Sequence, residues 1–359
     1  MASPKTLAEP KPPVPLNIPS GKAVKVSCID TTSRIKLPTQ TILIPYIADH
    51  KYYQCPAFSF LIEHESGKKL LFDLGIRKDW ENMSPFSVWR VKSRDFTVGV
   101  TKNCSDILVE NDVSLDSINA IIWSHHHWDH QGCPKLFPPS TDLVVGPGFK
   151  GAYTPGWPIE KDSSLREDDW EGRNFWEVDF TKKPFKLGRF EAYDYFGDGS
   201  FYLLHTPGHT IGHLCGLART TSNPDSFVFM GGDACHHGAE FRPSAWLPLP
   251  AEMTPHQLKT LSFPCPGSDF LDIHPQKDAS KPFYTPAPGF SHDHDTAVWT
   301  IEGLEEFDGH DNVLLGIAHD ATFLGQLDMF PKTMNDWKEK GDKGKVLWRF
   351  LEDFNVKPS

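Results

Sequence analysis

The sequence predicts an α/β chain: two mixed β-sheets packed face to face, with helices outside. Three observations lead there. Short apolar runs bounded by Gly, Pro, Asn and Asp dominate the 359 residues and read as strands. Helical stretches fall between them without the regular βαβ rhythm of a doubly wound sheet. Proline, at 31 residues, is too frequent for a mainly helical chain and implies long ordered loops.

The elements follow in order. Met1 to Lys22 holds six prolines and no apolar block, so it reads as a disordered or extended Pro-rich tail, neither a secretory signal nor a mitochondrial presequence. Residues 23–359 read as one domain. Val24 to Cys28 is a candidate strand. Ala57 to Glu63 and Lys69 to Asp73 flank Ser66-Gly67 as a hairpin. Ile76 to Arg94 reads as an aromatic loop, Cys104 to Asn111 as a helix, and Ile118 to Ser124 as a strand. Asp142 to Gly146 is a further strand, followed by a loop-rich stretch from Gly148 to Lys183. Phe185 to Phe196, Ser200 to His205, Leu214 to Ala218 and Phe227 to Met230 read as strands. Residues 241–290 form a Pro- and aromatic-rich insertion with one helix, Thr254 to Leu261. Asp293 to Phe307 predicts a helix, Val313 to Ile317 a strand, and Thr333 to Phe354 a mostly helical tail.

Charge and cysteine usage narrow the function classes. A net charge of −11 argues against a general nucleic-acid or anionic-membrane binder. No run of about 18 apolar residues occurs, so no membrane span is expected. Seven scattered cysteines without a C-x-x-C point to a reducing, cytoplasmic setting.

The chemistry-bearing signal is Ser124-His125-His126-His127-Trp128-Asp129-His130, an H-x-H-x-D-H pattern. Four fixed positions at about 5% each give a chance expectation of roughly 0.002 over the chain. The cluster sits where a strand ends, so its side chains can converge. Imidazole and carboxylate suit zinc, iron or manganese. Thr206-Pro207-Gly208-His209, Gly231-Gly232-Asp233 and Gly316-Ile317-Ala318-His319 each close a strand with a ligand-type residue. Together they make coincidence a poor explanation.

These fragments resemble the metallo-β-lactamase superfamily over roughly residues 23 to 325. The resemblance implies an αββα sandwich with two divalent metal ions, zinc first and iron or manganese as alternatives. It assigns His125, His127 and His209 to the first metal, Asp129, His130 and His319 to the second, and Asp233 as the bridge. Asp73, in Phe72-Asp73-Leu74-Gly75, would orient the ligands from behind. His213 reads as structural.

The Asp129-His130 pair favours a dinuclear hydrolase, and Thr206 to His213 looks most like the N-acyl homoserine lactonase group and fungal lactone or lactam hydrolases. The implied reaction is hydrolytic opening of a lactone, lactam or cyclic carbamate ring in a small molecule, with Asp129 as proton shuttle. The lactonase pattern places a Tyr three residues after the bridging Asp; here that position is His236, a second catalytic candidate, followed by His237. The longer spacing from Asp233 to His319 makes residues 241–290 a candidate substrate lid. Trp80, Phe86, Trp89, Trp157, His237 and Phe283 are candidate pocket residues. An acyl thioesterase, of glyoxalase II or polyketide type, and a non-catalytic metal-binding scaffold are the competing readings. Ser291 to Asp295 reads as a helix cap, the acidic run Glu167 to Asp169 as a solvated loop, and His126 and Trp128 as side chains pointing away from the metals.

Overall fold

A computed structural model describes residues 5–47, 49–255, 257–258, 265–354 and 356. The apolar runs pair into two six-stranded sheets. The first has the order Lys25–Ile29, Ser59–Glu63, Lys69–Phe72, Ile118–Ile122, Asp142–Val145, Phe175–Glu177. Its first three strands pair antiparallel and its last three joins are parallel. The second runs Lys186–Leu187, Phe190–Asp194, Phe201–His205, Leu214–Thr221, Ser226–Met230, Val313–Gly316, antiparallel except for the last join.

Successive strand residues face opposite ways, and here both faces are covered. Phe60, Ile62, Phe72 and Ile122 meet Leu203, Val228, Met230 and Leu314 between the sheets. Their neighbours Leu61, Leu71 and Ile121 turn outward onto Cys104 and Leu108 of the helix Cys104–Glu110. On the far side Leu204, Phe229 and Leu315 meet Ile301, Leu304 and Phe307 of the helix His294–Asp308. The layers are helix, sheet, sheet, helix, as expected. Truncating one of these buried phenylalanines to Ala should cost about 3–5 kcal/mol.

Several local expectations are corrected. Residues 76–94 are not all loop: Pro85–Ser93 is a helix, started by Pro85 and by Ser84, whose hydroxyl accepts from the Ser87 N–H at 3.2 Å. Arg34–Pro38 pairs with Tyr52–Cys55 and Thr97–Gly99 in a third sheet that the sequence reading lacked. The stretch 148–183 contains the helix Phe149–Tyr153 and the edge strand Phe175–Glu177. The expected strand 185–196 is a hairpin folded at Gly188, φ 55°. Only Asp342–Val346 and the 3-10 turn Arg349–Asp353 are helical in the C-terminal stretch, where Trp337 packs into the core between the sheets and Trp348 and Phe350 into a separate cluster. The expected helix 254–261 falls largely outside the described residues.

Residues 5–22 are extended and held down. Leu7 N–H donates to Leu249 and Lys11 N–H to Ala245, and Leu16 is buried against Phe307-side core. Most of the 241–290 segment packs as a fourth apolar cluster, with Leu249, Phe270 and Phe283 against Trp348, Phe350, Phe354 and the third sheet. Asp169 of the acidic run is buried, with one carboxylate oxygen lacking a partner; it is not a solvated residue.

Candidate metal centre

Every strand that carries a candidate ligand ends on one rim. Asp73 follows Lys69–Phe72, His125 follows Ile118–Ile122, Asp233 follows Ser226–Met230 and His319 follows Val313–Gly316. The parallel pairings of 69–72 with 118–122 and of 226–230 with 313–316 put these ends side by side. The two sheets are stitched there by the Leu214 N–H donating to the Ser124 carbonyl at 2.8 Å.

His209 reaches the rim through a glycine turn. Gly208 has φ 124°, a conformation open chiefly to glycine. A Cβ there would lie 2.3 Å from the Ala297 nitrogen, so the helix His294–Asp308 can sit directly on the turn. Asp293 caps that helix by accepting from Thr296 N–H at 3.0 Å, as the cap reading anticipated, and its own N–H donates to the Gly208 carbonyl.

Asp233 lies at the centre. Its Oδ2 is 3.5 Å from His125 Nε2 and 3.6 Å from His209 Nε2. Its Oδ1 is 3.0 Å from His130 Nε2 and 3.1 Å from His319 Nε2. His127 Nδ1 and His209 Nε2 face each other at 3.0 Å. Asp129 Oδ2 is 3.5 Å from His319 Nε2. The structure therefore brings all seven sequence-predicted ligands together, in one group of His125, His127, His209 and Asp233 and another of Asp129, His130 and His319.

The donor atoms fit metal ions. His125 Nε2, His130 Nε2 and Asp233 Oδ1 are buried without a partner in hydrogen-bond geometry, although nitrogen and oxygen lie close. Buried polar atoms are rarely left so unless an ion completes them. The far nitrogens are occupied, which fixes the tautomers. His130 Nδ1 donates to Asp73 Oδ2 at 2.8 Å, and His319 Nδ1 to the Pro56 carbonyl at 2.7 Å. Asp73 also accepts from Ser124 N–H and hydroxyl, both at 2.7 Å, and holds φ 58° to do so. His213 is structural as read: its Nε2 accepts from the Asp233 N–H at 3.0 Å.

Electrostatics divide the cluster. Burial drives His125, His127 and His209 well below the usual imidazole range, so all three are neutral donors. Burial also opposes charge on His130, but Asp233 and Asp73 outweigh it and hold it up at about 10. Asp233 is depressed despite burial, because His130 and His319 face it. The cluster thus stores an excess of negative potential that protons now balance and cations can balance instead.

A narrow cleft opens over Asp129, Asp233, His127 and His319. His236 lines it, with Nε2 3.2 Å from Asp233 Oδ2. Glu240, fully buried, accepts from the His236 and His237 N–H groups and so sets the direction of His236. The cleft walls are Ile35, Leu37, Phe96, Trp128 and Phe290. Trp128, expected to point away, faces the cleft. His126 does turn aside, stacking on Tyr153 at 3.8 Å.

The six aromatic and histidine candidates for pocket lining are placed elsewhere. Trp89 is 60% exposed and touches Phe86. Trp80 lies under Lys92, and Trp157 under Arg166. Phe283 packs on Phe354, and His237 donates to Asp353 at 3.0 Å. Each has a closer apolar or charged partner than the cleft. Sequence reading missed the walls at Ile35, Leu37 and Phe96, the positioning residue Glu240, and Arg90 and Arg94 at the cleft. The Ser84-Pro85 helix start was the one available signal for the two arginines.

Comparison with known proteins agrees with this geometry. Residues 52–220 match the Metallo-beta-lactamase superfamily. The chain is 44% identical over 352 residues to Gamma-lactamase FDB1 of Fusarium pseudograminearum (strain CS3096), covering 95% of this chain and 85% of that protein. It is 44% identical over 350 residues to Metallo-hydrolase mfmC of Annulohypoxylon moriforme, covering 96% and 91%. In shape it resembles an N-acyl homoserine lactone hydrolase solved with N-hexanoyl-L-homoserine at its catalytic metal center, with a TM-score of 0.57, 18% identity, and coverage of 88% of this chain and 100% of that one. Identity of this extent along nearly the whole chain, on this fold, means that the chain belongs to the metallo-beta-lactamase superfamily and is a metallo-hydrolase.

Proposed function

We propose that this metallo-hydrolase opens the ring of a small lactone, lactam or cyclic carbamate. The observation that carries the reading is the division of the Asp233 carboxylate, one oxygen toward His125 and His209, the other toward His130 and His319, at the floor of a cleft. His125, His127 and His209 would hold one divalent ion, Asp129, His130 and His319 a second, and Asp233 both. An all-imidazole and carboxylate donor set suits zinc, and also iron or manganese. When bound, the ions supply polarisation of the substrate carbonyl and a water acidic enough to attack at neutral pH. The names of the gamma-lactamase relative and of the lactone hydrolase of like fold support a cyclic ester or amide.

The chain's own residues do the rest. Ile35, Leu37, Phe96, Trp128 and Phe290 seat the apolar body of the substrate and exclude water. Among the described residues, Phe290 is the contribution of segment 241–290 to that wall and so to substrate choice. Asp129 and His236 both face the cleft. Asp129 shuttles the proton released on attack, and His236 Nε2 delivers one to the leaving oxygen or nitrogen. Glu240 keeps His236 aimed. The seven free, buried cysteines support a reducing, cytoplasmic setting.

A glyoxalase II-like thioesterase would need basic residues in the C-terminal stretch, where Lys338, Lys340, Lys343, Lys345 and Arg349 are the candidates. Four of them, Lys340, Lys343, Lys345 and Arg349, are engaged with Asp328, Asp308, Asp342 and Glu352 respectively, while Lys338 is exposed on the surface. The test is a side-by-side assay of a lactone, a lactam or cyclic carbamate, and an acyl thioester. Faster turnover of a ring substrate is expected; preference for the open thioester would overturn the reading.

A further inference from the structure

Ten arginines occur in the chain. Eight hold a carboxylate or carbonyl oxygen: Arg77 takes Asp79, Arg189 takes Glu306, Arg242 takes Asp308, and the rest are similarly engaged. Arg90 and Arg94 are the exceptions. Neither guanidinium has a hydrogen bond, ion pair or ring partner among the described residues, and both line the cleft above the candidate metal centre. They stand four apart on the helix Pro85–Ser93 and its C-cap, which places them on one face and within about 6 Å at Cβ.

Two like charges side by side repel, and among the described residues no carboxylate forms an ion pair with either. Burial and then Arg94 lower the Arg90 pKa, with Asp129 opposing, so Arg90 lies within electrostatic reach of the reacting end of the cleft. The opposite walls, Ile35, Leu37 and Phe290, offer no acceptor. In a chain of net charge −11, a cationic pair without an ion-pair partner, at a cleft whose facing walls are apolar, is a place for an anion.

We propose that Arg90 and Arg94 bind a carboxylate carried by the substrate, so that the ring compound opened here is an acidic one, with an apolar ring against Trp128 and Phe290. The proposal rests on the ring-opening reading and narrows its substrate class. Arg90 is half-buried and Arg94 exposed at the cleft mouth; guanidinium forks match carboxylate geometry, and a neutral isostere cannot replace the charge-assisted hydrogen bonds they make.

The test uses two benzo-fused five-membered lactones, one bearing a ring carboxylate and one the corresponding carboxamide. The protein should favour the carboxylate compound in kcat/KM by about tenfold or more. That ratio should shrink as salt rises and collapse toward one in Arg90→Gln/Arg94→Gln, with Arg90→Lys retaining part of it. Equal kcat/KM for the two compounds, or a preference that survives the double substitution, would overturn the proposal. If neither ring is opened, the ring-opening reading fails separately. Calorimetric affinities for the same two compounds then decide the proposal by the same ratio and the same collapse.

Discussion

Asp73 Oδ2 lies 2.8 Å from His130 Nδ1, and Asp73 adopts φ 58° to place it there. A left-handed aspartate is an uncommon conformation, here held by two further hydrogen bonds from Ser124. The pair links a strand end that binds nothing to a histidine whose other nitrogen faces Asp233.

That pair gives a first prediction. Asp73→Asn keeps the size and tolerates the left-handed backbone, but it replaces one acceptor oxygen with an N–H donor. His130 then loses the partner that holds its tautomer. Metal affinity, read by competition with a chromogenic chelator, should fall by about 10–100-fold with little change in fold. Unchanged affinity would reduce Asp73 to a packing residue.

His236→Phe separates chemistry from metal binding. The ring volume and the contact with Phe290, at 4.8 Å between centroids, are roughly kept. Two equivalents of metal should remain, while kcat for ring opening should drop by about 100-fold or more if the proton transfer is lost. Unaltered turnover would leave His236 as cleft lining.

Gly208→Ala should be severe although it touches no ligand atom. The new Cβ would meet the Ala297 backbone at 2.3–2.4 Å, and φ 124° disfavours any side chain. Relief requires the turn and His209 to move. A loss of about 2–4 kcal/mol in chemical denaturation is expected, together with weakened metal binding. A variant as stable as the parent would show that the helix start yields freely.

Asp169 gives a pH-dependent prediction. Burial and the neighbouring Asp168 raise its carboxyl from 3.8 to about 7. Between those values the folded state binds more protons than the unfolded state, so this group's contribution falls as pH rises and levels off above about 7. Asp169→Asn removes that loss. Relative to the parent, the variant's melting temperature should rise as pH goes from 4 to 7.5. A difference that stays flat across the range would contradict the raised, buried carboxyl.

The ligands were legible because their signal is local. H-x-H-x-D-H occupies six residues, and each remaining ligand follows an apolar run, with a glycine one to three residues before it. The cleft was not legible, because its walls come from the short strands at 34–38 and 52–55 and from Phe96 just before the strand 97–99, paired across long loops. Trp128 was misread for a geometric reason. Alternation holds in a strand, but Trp128–Gln131 is a helical turn, where neighbours differ by about 100° rather than 180°, so Trp128 is not turned directly away from Asp129. Phe283 and His237 looked like pocket residues only because the C-terminal Phe354 and Asp353 that cover them lie more than seventy residues onward in the chain. Glu240 carries no pattern at all; its role appears only when the His236 and His237 N–H groups are seen pointing at it.

The bridging role of Asp233 is the centre of the proposal, and Asp233→Ala tests it by metal analysis and ring-opening rate on the same sample. The parent, purified without chelators, should carry two metal equivalents; the variant should lose metal and activity together while keeping its far-UV dichroism. A variant that retains both metals, or one that loses them and still opens the ring, would contradict it.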